Sequence, residues 1–511
     1  MNKILKFLFS RMVIVGFLIL LQLVTLLYAI WELSESFVYL YVFFIALSIV
    51  VVIYIVSRND NPSYKLAWTI LVLLVPVFGG LFYLIFGGNK TSKKFRRKIE
   101  LAYKKHESLI PEGKGMIDSI AIEDKQVANQ MRYIDEFAKY PPYENTLTEY
   151  LSPGEDFFEC FIKELKKAKK YIFLEYFIIT EGYMWDEILK ILEEKVKVGV
   201  EVRVMYDDMG CLRTLPYKYE DVLREKGIKC VVFNPFLPLL SLRMNNRDHR
   251  KIAVIDGYIG FTGGINLADE YINKIVKFGH WKDSAIYLEG DAVWSLTLMF
   301  LQAWNFDNPN EENYEQFKPI PNINKKFESD GYVQPYGDSP LDGETVGENV
   351  YLNVINKAKD YVYITTPYLI IDNELVTALI LAAKSGVDVR IITPHIRDKW
   401  YAHIVTRAYY AYLIESGVKI YEYTNGFIHS KTFVSDDDIG IVGTINMDYR
   451  SLYLHFECGV FLYKTKSVGQ IKEDFINTMG ISQRFTLDDC KKIKASNKIV
   501  RSILRVFAPL L

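Results

Sequence analysis

Apolar residues are distributed unevenly along this chain, and their spacing changes from one end to the other. Three nearly unbroken apolar runs fill the first part, namely Met12 to Trp31, Phe37 to Val56 and Leu66 to Phe86. Each run holds 20 or 21 residues, and a helix of that length spans about 30 Å, the thickness of bilayer hydrocarbon. We therefore predict transmembrane helices and a membrane anchor over residues 1–90.

Charges beside the runs indicate how they are oriented. Basic residues precede the first run, and Glu32 and Glu35 follow it, which predicts a cytoplasmic N-terminus. The third run is broken by Pro76 and followed by six basic residues between Lys90 and Lys98. A re-entrant hairpin would return this basic cluster to the cytoplasm, whereas a kinked third span would place it outside. We favour the hairpin, and with it a multi-pass membrane protein in which the chain beyond residue 90 is cytoplasmic.

Beyond a predicted basic linker (residues 91–135), short alternating strands are interleaved with helices, and the pattern occurs twice. The matching pairs of segments are 169–176 with 359–366, 199–204 with 386–391, and 227–232 with 417–422. Strands alternating with helices predict an α/β fold with βαβ units and a mostly parallel sheet. We predict two pseudo-symmetric α/β/α halves, over residues 136–325 and 326–485, whose dyad brings equivalent strands together.

The last segment, residues 486–511, is predicted to be amphipathic. Lys498, Arg501 and Arg505 fall on one helical face, opposite a largely apolar face. This pattern is typical of an interfacial helix on anionic lipid, although a helix docked on the protein would show the same pattern. A second apolar segment, residues 233–242, contains prolines and could either rest on the bilayer or pack in the core.

Composition excludes some functions. The net charge of −1 provides no general attraction for nucleic acid. Five scattered cysteines form no Cys-x-x-Cys or Cys/His ligand cluster, so we expect no structural metal. The chain also lacks the glycine-rich loops that bind nucleotide phosphates.

A short signature occurs twice, 180 residues apart. The first copy (about residues 243–270) holds His249, Lys251, Asp256, Gly264 and Asn266. The second copy (about residues 423–450) holds their equivalents at the same spacing: His429, Lys431, Asp436, Thr444 and Asn446. A lone His-x-Lys would more often be a satisfied core histidine than a nucleophile, but the exact duplication reverses that judgement.

The signature suits phosphoryl transfer without a metal or cofactor. Each His and Lys lie two residues apart, so on a strand they point to one face. Two converging copies supply one imidazole to attack phosphorus and another to protonate the leaving oxygen, while Lys251 and Lys431 neutralise oxyanion charge. Asn266 and Asn446, together with Gly264 and Thr444, are predicted to bind the substrate phosphate.

Four carboxylates accompany the histidines. Asp256 and Asp436 belong to the signature and are grouped with the catalytic set, although each begins a turn, which favours a structural role. A reacting histidine needs its second nitrogen fixed. We predict that Glu457 orients His429 and that Asp283 orients His249.

The paired signatures resemble the phospholipase D superfamily, and the whole chain resembles the bacterial cardiolipin synthases of that type. Besides the signatures, the resemblance rests on Asn61-Pro62, Thr366-Pro367-Tyr368 and the terminal Pro509-Leu-Leu. It implies that two phosphatidylglycerol molecules are converted into cardiolipin and glycerol through a phosphatidyl-histidine, with His249 as nucleophile. The implied partners are phosphatidylglycerol, cardiolipin and the bilayer, with no nucleic acid and no nucleotide.

Other functions use the same residues. A phospholipase D hydrolase or another headgroup transferase would differ in the acceptor alone. A nuclease fits poorly with three membrane-length runs, and a non-catalytic membrane scaffold would be expected to have lost a His or Lys.

Overall fold

The computed structural model describes residues 11–36, 38–87, 109–236, 245–305, 313–319, 331–492 and 495–510. The basic cluster between Lys90 and Lys98 and residues 237–242 of the apolar segment lie outside the described residues. So do residues 306–312 and 320–330, around the predicted boundary between the two halves.

The N-terminal part folds into four helices: α1 (Arg11–Ser36), α2 (Val38–Ser57), α3 (Pro62–Leu74) and α4 (Pro76–Phe86). Within the described residues, α2 alone is long and apolar enough to cross a bilayer by length and composition. The third apolar run is divided at Val75, because proline disfavours helical geometry at the preceding residue and lacks an N–H. Helix α4 packs on α2, where the Gly80 N–H donates to Ser48 Oγ (3.1 Å).

Two helices, α5 (Lys114–Glu123) and α6 (Lys125–Tyr133), occupy the end of the predicted linker. The first sheet contains β1 (Thr146–Leu151), β2 (Tyr171–Tyr176), β3 (Glu201–Asp207), β4 (Lys229–Phe233), β5 (Lys251–Ile255), β6 (Ile259–Gly263) and β8 (Ala285–Gly290). Its helices are α7 (Gly154–Leu165), α8 (Tyr183–Lys197), α9 (Asp208–Cys211), α10 (Tyr219–Glu225) and α11 (Val293–Trp304). A short strand, β7 (His280–Lys282), lies outside the sheet.

The second sheet contains β9 (Tyr332–Asp338), β10 (Tyr361–Thr365), β12 (Asp388–Pro394), β13 (Lys419–Tyr423), β15 (Thr432–Ser435), β16 (Ile439–Gly443), β18 (Glu457–Tyr463) and β19 (Ser482–Phe485). Its helices are α12 (Val346–Lys357), α13 (Asn373–Lys384), α14 (Trp400–Glu415), α15 (Tyr449–Tyr453) and α16 (Lys466–Gly480). Three short strands lie outside it: β11 (Leu369–Ile370), β14 (Gly426–Ile428) and β17 (Met447–Asp448).

The strand orders show the repeat directly. The first sheet runs β1-β8-β6-β5-β2-β3-β4. Read from the equivalent edge, the second runs β9-β18-β16-β15-β10-β12-β13-β19, which is the same order with one additional strand, β19, at the end. The prediction of mostly parallel sheets is wrong, since only β2-β3-β4 and β10-β12-β13 pair in parallel within these two sheets. Each signature strand instead turns back through a tight hairpin, with Asp256 and Asp436 at φ 52° and 53°, and a hairpin joins antiparallel strands.

The C-terminal helices are α17 (Leu487–Lys491) and α18 (Ala495–Phe507). Helix α18 packs on α14 and α3, with the Arg505 guanidinium 4.7 Å from the centre of the Tyr409 ring. Ile499 and Ile503 remain 64% and 54% exposed. The N-terminal helices are fixed to the same half, because Asn61 Nδ2 donates to Asp372 Oδ2 and to the Tyr453 hydroxyl, both at 2.9 Å.

Candidate active site

Two short main-chain contacts join the halves and position both histidines. Strand β14 pairs with β7 in parallel, Ile428 lies opposite Lys282, and the His429 N–H donates to the Lys282 oxygen at 2.7 Å. Equivalently, Asp248 bridges to Phe456, and the His249 N–H donates to the Phe456 oxygen at 2.9 Å. His429 therefore lies opposite Asp283, the residue after Lys282, and His249 lies opposite Glu457, the residue after Phe456. Both of these residues are carboxylates.

The histidine–carboxylate pairs consequently cross between the halves. His249 Nδ1 lies 2.9 Å and 3.0 Å from the two carboxylate oxygens of Glu457. His429 Nδ1 lies 2.7 Å from Asp283 Oδ2. The predicted pairing of Glu457 with His429 and of Asp283 with His249 is wrong, because it assumed that each half orients its own histidine.

Gly264 and Thr444 contact these carboxylates in different ways. The Thr444 hydroxyl donates to Glu457 Oε2, whereas the Ser284 N–H donates to Asp283 Oδ1 at 2.8 Å. A Cβ on Gly264 would lie 2.0 Å from that oxygen, so a side chain there would displace Asp283. These two positions, predicted to bind substrate phosphate, are thus placed against the orienting carboxylates.

Both signature lysines are buried beside the histidines, each with 1% exposure. Lys251 Nζ donates to the His249 oxygen (2.5 Å), and Lys431 Nζ donates to the His429 oxygen and lies 2.8 Å from His429 Nδ1. Burial lowers the pKa of Lys251 to about 8 and that of Lys431 to about 7. A bound anion would favour the charged ammonium forms again.

The same surroundings keep the two imidazoles neutral. Burial, with the charges of Lys251 and Lys431, lowers the pKa of His249 well below its usual value. Burial and Lys431 lower the pKa of His429 to about 4, against the opposing effect of Asp283. At neutral pH a neutral His249 is available for attack, and a phosphodiester charge between the two rings would favour protonation of the other.

The two signature asparagines differ. Asn266 Oδ1 accepts from the Ile178 N–H (3.0 Å), and its Nδ2 donates to the Tyr271 hydroxyl (2.7 Å). Asn266 therefore holds the loop after β2 in place. Asn446 Oδ1 is buried with no hydrogen-bond partner among the described residues, so this amide is the freer of the two to meet a substrate.

Asp256 and Asp436 point away from the histidines. Asp256 accepts the N–H groups of residues 169–171 at 2.7–2.9 Å, and Asp436 accepts those of residues 359–361 at 2.8–2.9 Å. Each fixes the start of the neighbouring strand, β2 or β10. Grouping them with the reacting residues is wrong, and the structural role suggested by their position at a turn fits the contacts.

Sequence reasoning missed the aromatic walls of the site. The Phe177 ring lies 5.0 Å from the His249 ring, and Tyr271, Trp281 and Phe427 lie 5.5–5.9 Å from the His429 ring. Trp281 and Phe427 stand two residues before Asp283 and His429. Their position on the same strand face was the available signal.

Sequence reasoning also did not single out His455. Its Nδ1 lies 3.7 Å from Glu457 Oε1, and its ring centre lies 5.5 Å from that of His249. Two imidazoles thus flank one carboxylate in this part of the site.

Comparison with known proteins identifies the family of this chain. The family model described as "Cardiolipin synthase, PLD-like domain" matches residues 161–276 and 351–479, and one described as "Phospholipase_D-nuclease N-terminal" matches residues 46–88. A cardiolipin synthase of Alkalihalophilus pseudofirmus is 35% identical over 90% of this chain and 91% of its own length. The chain belongs to the cardiolipin synthase family of the phospholipase D superfamily.

Other relatives extend this result. Cardiolipin synthase 2 of Bacillus anthracis is 36% identical over 89% of this chain and 88% of its own. An uncharacterized protein of Streptococcus mutans is 46% identical over 90% of this chain and 99% of its own. A crystal structure of phosphatidylserine synthase from Haemophilus influenzae shares the fold, with a TM-score of 0.55 and 15% identity over 74% of this chain and 97% of that one. The family resemblance found in the sequence is confirmed.

Proposed function

We propose that this protein is a cardiolipin synthase, a phosphatidyltransferase that joins two phosphatidylglycerol molecules and releases glycerol. The observation that supports this most is the crossed arrangement, in which each half orients the histidine of the other. With both Nδ1 atoms held by carboxylates, both Nε2 atoms are left for one phosphodiester between the halves. Family membership supplies the choice of substrate.

In the first step, His249 Nε2 attacks phosphorus of the donor lipid. A P–N bond forms, the P–O bond to the glycerol headgroup breaks, and His429 gives that oxygen a proton. In the second step, His429 takes a proton from a headgroup hydroxyl of the acceptor lipid. A P–O bond to that oxygen forms as the P–N bond breaks, which restores His249.

The other buried groups stabilise charge. The carboxylates of Glu457 and Asp283 stabilise the imidazolium that forms on His249 or His429. Lys251 and Lys431, within the same buried cluster, stabilise negative charge that develops on the phosphoryl oxygens. Asn446, whose Oδ1 has no partner among the described residues, would accept from a lipid hydroxyl.

Incubation of the purified protein with vesicles of phosphatidylglycerol alone tests this function. We expect cardiolipin and glycerol in equal amounts, and neither from the His249→Ala variant. Phosphatidic acid as the main product would show a hydrolase instead.

For the membrane region, we propose that α2 and the first apolar run cross the bilayer and that α3 and α4 form a re-entrant hairpin. The division at Val75 and the packing of α4 on α2 support a hairpin. This topology places both halves in the cytoplasm. Four of the five cysteines are buried and Cys160 is partly buried, so the test needs an accessible thiol, such as Asn477→Cys on the exposed face of α16 with Cys160→Ala. Labelling of that thiol in intact cells by a membrane-impermeant reagent would overturn the cytoplasmic assignment.

We further propose that α18 touches the bilayer through Ile499 and Ile503, which stay exposed although the helix is docked. Replacing both with Glu should weaken attachment to phosphatidylglycerol vesicles of the protein lacking residues 1–57, which keeps α3, the helix on which α18 docks. Val198→Glu, at an apolar residue of the first half that is 74% exposed, is the control. Equal binding of the two variants would exclude the contact.

A further inference from the structure

A cavity of about 230 Å³ lies between the N-terminal helices and the second half. Residues 58–61, which connect α2 to α3, form one wall, and residues 338–340 and 343–345 form another. Helix α15 and His455 form the inner wall, with Pro509 beside them. The cavity is therefore made jointly by the membrane region, the second half and the C-terminus.

In the proposed topology, the cavity lies at the same depth as the lipid headgroups. Arg58 follows the last turn of α2, and its guanidinium pairs with Asp60 at 2.8 Å. Lys65 Nζ donates to the main-chain oxygen of Arg58 at 2.9 Å. Basic residues at the end of an apolar helix mark the boundary between hydrocarbon and water, so a lipid headgroup can reach this wall without leaving the bilayer.

His455 connects the cavity with the reacting groups. Its side chain is nine-tenths buried (10% exposed) and lines the cavity, and its Nδ1 has no hydrogen-bond partner among the described residues. The same Nδ1 lies 3.7 Å from Glu457 Oε1, the carboxylate that orients His249. His455 therefore stands between the cavity and that carboxylate, and an imidazole in this position can hydrogen-bond a hydroxyl group bound in the cavity.

The lining suits an uncharged polyhydroxyl group better than an anion. The one guanidinium, that of Arg58, is already paired with Asp60, and Asp338 and Glu344 add two more carboxylates. These acceptors disfavour a phosphate, whereas carboxylates and amides such as Asn59 readily bind hydroxyls.

We propose that this cavity binds the 1,2-diol of glycerol, beside the phosphatidyl-His249 intermediate. This inference rests on the proposed function and specifies its second substrate. Two sources of the diol exist in that reaction: the headgroup of the acceptor phosphatidylglycerol, and the free glycerol released in the first step.

The test is to fill the cavity with Asn59→Trp and to compare it with Asn477→Trp, an exposed asparagine on α16. Phosphatidylglycerol in phosphatidylcholine vesicles is the substrate, and cardiolipin, phosphatidic acid and glycerol are measured. If the acceptor headgroup binds here, Asn59→Trp raises the phosphatidylglycerol concentration for half-maximal cardiolipin formation about tenfold. It also raises the ratio of phosphatidic acid to cardiolipin, because water replaces the missing acceptor.

Two further measurements distinguish the two sources of the diol. They also distinguish failure of this proposal from failure of the proposed function. The first-turnover release of glycerol should stay at the wild-type rate, which also shows that the variant is folded. If free glycerol is the occupant, inhibition by added glycerol weakens while the dependence on phosphatidylglycerol is unchanged. Equal loss of all three products, or no change in any, overturns the proposal. Failure of the proposed function would appear earlier, as a wild-type protein that makes no cardiolipin.

Discussion

The two halves of the site share strand order and spacing, yet they treat their histidines differently. The Glu457 carboxylate at His249 is fixed by the hydroxyl of Thr444, and a second imidazole, His455, lies beside it. The Asp283 carboxylate at His429 is fixed by a main-chain N–H, in space that Gly264 leaves open. Duplication thus supplies two equivalent imidazoles, and the unequal residues around them can give the imidazoles unequal roles.

The lysines extend this contrast. Lys431 Nζ lies 2.8 Å from His429 Nδ1, whereas Lys251 Nζ bonds the main-chain oxygen of His249. Burial and Lys431 lower the pKa of His429, and burial with both lysines lowers that of His249, so the lysines alone do not rank the two imidazoles as acids. The family resemblance assigns His249 as the nucleophile and His429 as the acid, and the unequal contacts show where the two halves could differ.

The largest expected effect comes from removing either histidine. His249→Ala should abolish turnover and leave no lipid adduct. His429→Ala should lose about 10²–10⁴-fold in rate yet still trap a lipid on His249 when the substrate is a p-nitrophenyl phosphatidyl ester, whose leaving group needs no proton. Mass spectrometry of the lipid-modified peptide decides this, and an adduct on His429 in the His249→Ala variant would reverse the two roles.

The crossed carboxylates give the next largest effect. Glu457→Gln and Asp283→Asn should each lower kcat on phosphatidylglycerol by about 10²–10⁴-fold, because each histidine loses its orientation and the partner of its imidazolium. With the p-nitrophenyl ester, Asp283→Asn should recover, since it impairs the acid, whereas Glu457→Gln should stay slow, since it impairs the nucleophile. Recovery by Glu457→Gln alone would mean that the roles of the two histidines are exchanged.

From the paired signatures, the sequence predicted the two halves and the position of Asp256 and Asp436 at the start of a turn. It could not predict the crossed pairs, because they depend on which segments of the two halves meet, β7 with β14 and Asp248 with Phe456. The parallel-sheet prediction failed for a local reason, as the turns at Asp256 and Asp436 return each signature strand. His455 stands two residues before Glu457, a spacing that can signal a shared strand face, but its place between the cavity and Glu457 appears only once the chain is folded.

A smaller effect concerns pH and the lysines. In the free enzyme the pKa of Lys431 is about 7 and that of Lys251 about 8, so kcat/KM should fall as pH rises through 7 to 8, by up to about tenfold per pH unit. Stability should move the other way. The unfolded lysines titrate near their usual 10.5, so between these values the unfolded state binds more protons and the free energy of unfolding rises with pH.

A pH–rate profile and a thermal unfolding series on the same samples check both signs. Lys431→Arg keeps its charge at higher pH. The fall in kcat/KM at alkaline pH should then follow the titration of Lys251 and move to higher pH. A profile that does not shift would show that Lys431 does not set the alkaline limb.

The smallest expected effect isolates the hydroxyl that distinguishes the two carboxylates. Thr444→Val keeps the shape of the side chain and removes the hydrogen bond donated to Glu457 and the one accepted from the Cys458 N–H. A hydrogen bond to a charged group contributes about 1.5–3 kcal/mol. Because Glu457 keeps its hydrogen bond to His249 Nδ1, only part of this is lost, and we expect kcat to fall about tenfold. Thr444→Ser should restore most of the rate, because it restores the hydroxyl. Thr262→Val, at a buried threonine of the other signature hairpin that contacts Cys458, is the matched control and should change kcat much less. Since Glu457 acts on His249, the loss in Thr444→Val should persist with the p-nitrophenyl ester, and its disappearance there would place the hydroxyl's influence on His429 instead.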